Sequence, residues 1–318
     1  MNPKVSIIIP THNKARMLSR AIKSILNQTF QDFELIIVDD CSIDNTREAV
    51  EWFQKKHKQK KINYIYLPKN SGAPAYPSNI GIKNSTGEYV AFLDHDDEWL
   101  PEKLEKQLQL FEKSPGNLGF IGCNALVINE KKNGNNLKEY KLPRYSESIF
   151  LEKLLETNFI LSQSGVMIKK AILKEIGLFD EKLKFAQDWD MWIRISNFSY
   201  KFDFIDQALF KYYIHSDNIS KNVKIFQKIL EYEYLLSNHK ELYKKYPYSY
   251  SARLRNLGSL YVIGGNLKTA RKLFIEAIKL APWQIRPYLN FVISLLGTKI
   301  YEKILYQKRK MTGDFLID

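Results

Sequence analysis

Residues 5–40, VSIIIPTHNKARMLSRAIKSILNQTFQDFELIIVDD, hold an apolar run, an amphipathic stretch and a second apolar run ending on two acids. VSIII (Val5 to Ile9) reads as a buried strand closed by Pro10. From Ala15 to Asn27, Leu18, Ala21, Ile22, Ile25 and Leu26 recur at helical spacing. FELIIV (Phe33 to Val38) reads as a second strand, ended by Asp39 and Asp40. Strand, helix and strand in this order predict a parallel βαβ unit.

The pattern continues downstream. Asp44 or Asn45 is placed to cap a helix running to about Lys56. Ile62 to Leu67 and Tyr89 to Leu93 read as third and fourth strands. The expected fold class is therefore α/β, a mostly parallel central sheet flanked by helices. Such sheets bind ligands at the carboxyl ends of their strands. Two acid clusters, Asp39-Asp40 and Asp94-His95-Asp96-Asp97, fall at such ends. Further on, Phe120 to Asn129 reads as a strand followed by the polar turn EKKNGNN, and SGVMIKKAIL, GLFDE and AQDWDMWIRISNF as strand, loop and helix.

The composition of the 318 residues, 45% apolar and 26% charged, is that of a soluble globular chain and excludes a disordered one. No run approaches the roughly 18 to 20 apolar residues of a membrane span. MNPKVSIIIP lacks the apolar core of a signal peptide, so the expected location is the cytosol. Cys41 and Cys123 form no framework or metal spacing and are expected to be reduced. Charge is uneven. Residues 221–318 carry 18 Lys and Arg against 7 Asp and Glu, a net of +11, which leaves +2 for residues 1–220. A near-neutral body of 1–220 and a basic helical region of 221–318 are expected to do different jobs. The region's partner is an anionic membrane surface, a nucleic acid or an anionic substrate.

Within that region, Leu260, Tyr261, Gly265, Ala270, Phe274, Ala277 and Pro282 follow helix–turn–helix spacing and resemble one tetratricopeptide unit. The last expected helix, PYLNFVISLLGTKIYEKILYQKRK, is amphipathic and ends in Lys308-Arg309-Lys310. It reads either as a packed terminal helix with a solvated basic end or as an interfacial membrane helix.

The acid clusters carry the chemistry. A solvated turn is the bland reading of Asp94-His95-Asp96-Asp97, but these acids directly follow an apolar strand and precede Trp99. Carboxylates two apart can serve one hard cation, magnesium or manganese, and leave positions for a diphosphate. Asp39 and Asp40 have a capped turn as their alternative; functionally, a carboxylate there accepts from the imide N–H of a uracil-type base. Pro10, Thr11, His12 and Asn13 line the same pocket. Asp188 and Asp190 are flanked by Trp189, Trp192 and Arg194. A carboxylate beside aromatic surface tends to hold a proton, which suits a general base, and aromatic faces stack on sugars.

VSIIIPTHN, FELIIVDDCSIDNT, NSGAPAYPSNIGI with GEYVAFLDHDDEW, and QDWDMWIRI together resemble inverting family 2 glycosyltransferases of the GT-A fold, over about residues 3–220. The resemblance implies that Asp40 contacts the nucleobase. It implies that Asp94 and Asp96 serve ribose, diphosphate and metal, that Asp97 supports them, and that Asp188 is the catalytic base. Gln187 stands where the family's late motif has Glu, and Ser78 where many relatives have Arg before Asn79. His215, in YYIHSDNIS, falls where relatives often place a diphosphate-contacting His or Arg; a surface histidine is the alternative. The Q-x-x-R-W signature of polymerising relatives is missing, which implies one sugar per encounter.

The expected function is transfer of one sugar from a nucleotide sugar, by resemblance a uridine diphosphate sugar, with a divalent manganese or magnesium cofactor. The expected acceptor is a glycan or lipid-linked glycan of a cell-surface polysaccharide, met by an enzyme peripheral at the inner face of the plasma membrane. The expected substrate-binding set is Pro10, Thr11, His12, Asn13, Asp39, Asp40, Asn79, Asp94, Asp97, Trp189, Arg194 and His215, with Asp96 and Asp94 on metal. No nucleic acid is expected, and the sequence leaves the oligomeric state open. One rival is a nucleotidyltransferase, which needs a glycine-rich basic loop that PTHNKARML does not supply. The other is a nucleotide-sugar-binding or scaffold protein without turnover, whose basic tail holds a partner.

Overall fold

The computed structural model describes residues 2–114, 116–130, 137–216, 218 and 223–312, with backbone alone from 308. The chain divides into two compact units, Met1–Glu147 with Ile160–Asn218, and Ser148–Phe159 with Ile219–Asp318.

The first unit is built on β1 (Val5–Thr11), α1 (Ala15–Leu26), β2 (Phe33–Asp39), α2 (Thr46–Lys56), β3 (Lys61–Tyr66), α3 (Ala75–Asn84) and β4 (Tyr89–Phe92). β1 pairs in parallel with β2 and β4, and β2 with β3. Strands β1 and β2 are buried along their whole length because helices cover both faces. Leu35 and Ile37 share one core with Leu18, Ile22 and Ile25 of α1. The alternate residues Ile36 and Val38 point the other way, where Ile80 of α3 packs beside them. α3 lies close on β1, since a Cβ on Gly81 would come within 2.5 Å of the Ile8 side chain.

Beyond β4 the sheet turns mixed. β5 (Glu98–Trp99), α4 (Lys103–Lys113), β6 (Leu118–Asn129), β7 (Leu137–Tyr140), β8 (Met167–Lys169), α6 (Lys170–Ile176), α7 (Gln187–Asn197) and β9 (Lys201–Ile214) complete the unit, α5 (Glu147–Glu156) grouping with the second. The strand order is β3-β2-β1-β4-β8-β6-β9-β5, with β7 on β6. β8 runs antiparallel to β4 and β6, while β9 runs parallel to β6. The switch in strand order lies between β1 and β4, so a crevice opens where both carboxyl ends emerge. Of the expected turn EKKNGNN, residues 131–136 lie outside the described residues.

Glu34 is fully buried in β2. It accepts from the Ser6 hydroxyl and from the N–H and hydroxyl of Thr86, and pairs with Lys61 at 2.5 Å. Burial alone would raise its pKa, but the bonds from Lys61, Ser6 and Thr86 offset that and hold it below the usual carboxylate range. Glu34→Ala is expected to cost about 2–3 kcal/mol, mainly from three donors left without their shared acceptor. The sign follows from the lowered pKa. The stabilisation is complete above the unfolded value of about 4.3 and is lost as pH falls through the folded value. Thermal melts of wild type and variant should therefore converge as the pH is taken below about 4; a gap that stays constant would contradict this.

The second unit is helical: α5, then Ile225–Asn238, Lys240–Lys245, Pro247–Ile263, Leu267–Leu280, Ile285–Leu295 and Thr298–Thr312. Tyr243 and Asn256 donate to the carbonyls of Leu155 and Glu156, which the end of α5 leaves without helical partners. Gly265, at φ 82°, turns the chain between Pro247–Ile263 and Leu267–Leu280, and the bare Cα of Gly258 lets the Phe274 ring approach. The single last helix expected from sequence is instead two, because Gly297 takes φ 90° and ends the first. Among the described residues, no helix is long and apolar enough to cross a membrane. The side chains of Lys308, Arg309 and Lys310 lie outside the described residues.

Candidate active site

The parallel register of β1 with β2 sets Thr11 opposite Asp39, so both strand ends reach the crevice at one level. Two loops follow, at 11–14 and 40–44, and they are stitched together. The backbone N–H of Asn13 donates to Ser42 Oγ at 2.8 Å, and Asn13 Oδ1 accepts from the Ile43 N–H at 2.7 Å. His12 Nδ1 donates to the Asp40 carbonyl at 2.8 Å, which leaves Nε2 to accept from Asn13 Nδ2. Asn13 and Cys41 sit at φ 52° and 66°, backbone conformations that a tight loop at a site can hold. The Pro10 carbonyl accepts from His95 Nδ1 at 3.2 Å, tying the end of β1 to the acid turn after β4.

Asp39 and Asp40 both hold scaffold contacts here. Asp39 accepts from the Ser42 N–H and, at 2.5 Å, from the Tyr64 hydroxyl. Asp40 accepts from the N–H and hydroxyl of Ser71 at 2.7 to 3.0 Å, which draws residues 68–74 over the strand ends. Thr11 Oγ1 is buried in this wall with no hydrogen-bond partner.

The three aspartates of the acid turn differ sharply in surroundings. Asp97 is buried, accepting from Ser164 Oγ at 2.6 Å and from the Tyr213 N–H at 3.2 Å. Asp94 accepts from Gln163 Nε2 at 2.7 Å and Ser162 Oγ at 3.0 Å, while its own N–H donates to Ser164 Oγ. Asp96 turns the other way and accepts from His215 Nε2 at 2.8 Å and Asn218 Nδ2 at 3.3 Å. Arg20 holds the Asp96 carbonyl at 2.7 Å while its guanidinium lies 3.6 Å from the Tyr213 ring centre.

These surroundings split the acidities. Burial raises the Asp94 carboxyl, and the Asp96 charge adds to that. Burial raises Asp97 still further, with Asp96 and Asp94 both contributing. Burial acts on Asp96 as well, but the His215 hydrogen bond and the two nearby imidazoles pull it below the ordinary value. Asp96 is thus the member of the cluster that keeps its charge most firmly.

Sequence reasoning did not single out Ser162, Gln163 and Ser164, the N-cap and first two residues of a 3₁₀ turn (Gln163–Gly165) between α5 and β8. Trp99 Nε1 donates to the Ser164 carbonyl and Gln107 Nε2 to the Gly165 carbonyl, so the turn is fixed from beneath. Gly165 must be glycine here, because a Cβ would lie 2.8 Å from the Phe210 ring. The one available signal was a run of small polar residues, LSQSG, before an apolar strand. Asn218, Ser71 and Arg20 carried no local signal.

α7 presents Asp188 in its first turn, half-buried, with Oδ1 accepting from the Trp189 N–H at 2.6 Å. The aromatic residues around it are core. Trp189 is 4% exposed, and Trp192 stacks on Phe120 with ring centres 5.3 Å apart, which leaves neither ring for a sugar. Arg194 is likewise structural: it pairs with Asp190 at 2.7 Å and caps the carbonyls of Ile176 and Leu178. Both expected ligand contacts are corrected accordingly, because amphipathic helices turn such residues inward. Asn79 binds the N–H and carbonyl of Phe179 at 2.9 Å, anchoring the segment that leads into α7. Beside it Ser78 Oγ is buried without a partner, as is Gln187 Oε1.

Among the described residues, no three His, Cys, Asp or Glu side chains are gathered as a ready cation cage. Asp96, held ionised, and His215 Nε2, 2.8 Å away, are oxygen and nitrogen atoms of the kind manganese accepts, provided the Nε2 proton shared with Asp96 is displaced.

A sequence family described as Glycosyl transferase family 2 matches residues 6–177. An uncharacterized glycosyltransferase of Methanocaldococcus jannaschii is 36% identical over 240 residues, 74% of this chain and 79% of that protein. The putative teichuronic acid biosynthesis glycosyltransferase TuaG of Bacillus subtilis is 31% identical over 220 residues, 69% of this chain and 82% of that protein. Among solved structures, S. aureus TarS 1-349 in complex with UDP-GlcNAc superposes with a TM-score of 0.60 at 18% identity, over 96% of this chain and 92% of that one. The mannosyltransferase PcManGT from Pyrobaculum calidifontis, in complex with GDP-Man and Mn2+, gives 0.59 at 16% identity, over 93% and 81%. At these identities the structural likeness speaks for the fold, which is GT-A.

Proposed function

The chain belongs to glycosyltransferase family 2, and from that premise we propose that it moves one sugar from a uridine diphosphate sugar to an acceptor hydroxyl with inversion at the anomeric carbon. The observation that carries this reading is the unequal acid turn: Asp96 charged against His215, Asp94 and Asp97 anchored by the 162–165 turn. The donor diphosphate would lie against a manganese or magnesium ion that Asp96 would hold, with Asp94 beside it and with His215 joining once Nε2 gives up the proton it donates to Asp96; the ion would neutralise charge on the leaving group. Thr11, His12, Asn13 and Asp40 line the base and ribose end of the donor, with Pro10 shaping the loop. Asp188 takes the proton of the acceptor hydroxyl. The acceptor hydroxyl's oxygen attacks the anomeric carbon as the bond to the diphosphate breaks, and the electron pair leaves with the nucleotide.

The UDP-GlcNAc complex of TarS and the Mn2+ complex of PcManGT support the donor class and the cation. The name of TuaG supports a cell-surface polysaccharide as the product. The acceptor is accordingly a polysaccharide or lipid-linked glycan, elongated by a peripheral enzyme at the inner face of the membrane.

Thermal melts against a panel of nucleotide sugars with manganese test the reading. A uridine diphosphate sugar at about a hundredfold its Kd should stabilise the chain by about 2.7 kcal/mol, and less without the cation. Equal melting temperatures across the panel would overturn it.

A further inference from the structure

The helix Ile285–Leu295 wears its apolar face on the outside. Ile285, Leu289, Val292 and Leu296 follow one another at helical spacing, and each is more than half exposed (53% to 72%). The opposite face, with Pro287 and Ser294, is the one buried. Trp283, just before the helix, is 68% exposed. After the turn at Gly297, Ile300 and Ile304 are exposed too, as are Lys299 and Lys303 on the same helix. A folded chain rarely leaves such a stripe in water without a partner.

We propose that this face is a docking surface for an anionic lipid bilayer, on which the two helices lie in the headgroup region. Charge selects this occupant. Between Trp283 and Gln307 the cations are Arg286, Lys299 and Lys303, against the single acid Glu302, and residues 221–318 carry +11 in all. A second copy would set like charges face to face, whereas anionic headgroups complement them. Trp283 and Tyr288 supply the amphipathic rings that favour the boundary between headgroup and acyl chain. At 11 residues, ended by Gly297, the first helix lies on a membrane rather than through it. The inference deepens the proposed function, and it draws on the membrane-linked acceptor for purpose but not for the binding itself.

Flotation of the full chain with phosphatidylcholine vesicles, with and without phosphatidylglycerol, tests this. Wild type should float with the anionic vesicles, and less so as salt is raised. Leu289→Glu with Val292→Glu should lower vesicle binding about tenfold or more. Lys299→Glu with Lys303→Glu should lower it about tenfold for anionic vesicles only. Circular dichroism checks the fold, and the charge pair decides alone should the apolar pair misfold. Stabilisation by nucleotide sugars should be equal in wild type and both variants, so failure of docking is separable from failure of the transferase reading. The proposal falls if wild type binds neither vesicle or if both variants bind as wild type does. It also falls if the chain self-associates through this face without binding lipid, which would assign the stripe to a second copy.

Discussion

Asp188→Asn is expected to lower turnover about a thousandfold or more while leaving donor binding intact. The substitution is isosteric, and the side-chain oxygen that accepts from the Trp189 N–H remains. What disappears is the only function proposed for this group, removal of the acceptor proton as the new bond forms. The loss corresponds to about 4 kcal/mol of transition-state stabilisation. Single-turnover transfer should collapse at saturating donor, and nucleotide-sugar stabilisation of the fold should match wild type. Activity within a few-fold of wild type would remove Asp188 from the mechanism.

Asp96→Ala should act on a different quantity. It removes the charge that sits against His215 and with it the response to manganese, at a cost of about a hundredfold to a thousandfold in kcat/KM. Its effect on stability should be a loss as well. The Asp96 charge adds to what raises the carboxyls of Asp94 and Asp97, but Asp96 itself is held below the ordinary carboxylate range, so its ionised form stabilises the fold above the unfolded value. Removing it also leaves the buried donors of His215 and Asn218 without their acceptor. The metal-free variant is therefore expected to melt below metal-free wild type near neutral pH, with the gap closing as the pH falls through the folded value of Asp96. A variant that melts higher would mean that like-charge repulsion in the turn dominates, and a preserved manganese response would place the cation elsewhere.

Much of the first unit could be read locally. β1, α1, β2 and β4 end within a residue or two of where periodicity sets them, since each is a continuous apolar run or a clear helical stripe; Pro10, however, does not close β1, which runs through it to Thr11 in register with Asp39. The partners of the acids could not be read that way. Ser162 and Ser164 meet Asp94 and Asp97 across more than 60 residues, and His215 meets Asp96 across 119. Those meetings depend on β8 inserting beside β4 and on β9 running parallel to β6, pairings that no local pattern encodes. Trp189 and Arg194 misled for a related reason. Two tryptophans and an arginine beside acids look like a ligand surface in one dimension, but on α7 they face the core and the end of α6. Glu98 directly follows the acid cluster in sequence, yet with Trp99 it forms a two-residue strand on β9.

The grouping of residues 148–159 with the C-terminal helices bears on how such proteins can be recombined. The carbonyls of Leu155 and Glu156 rely on Tyr243 and Asn256, which lie some ninety residues further along the chain. A gene cut near 220 would orphan them. The helical unit is consequently no cassette that can be appended to or trimmed from a catalytic body at one junction, and shuffling libraries that cross over there should yield insoluble chains. Insertion and tail must be exchanged as a pair.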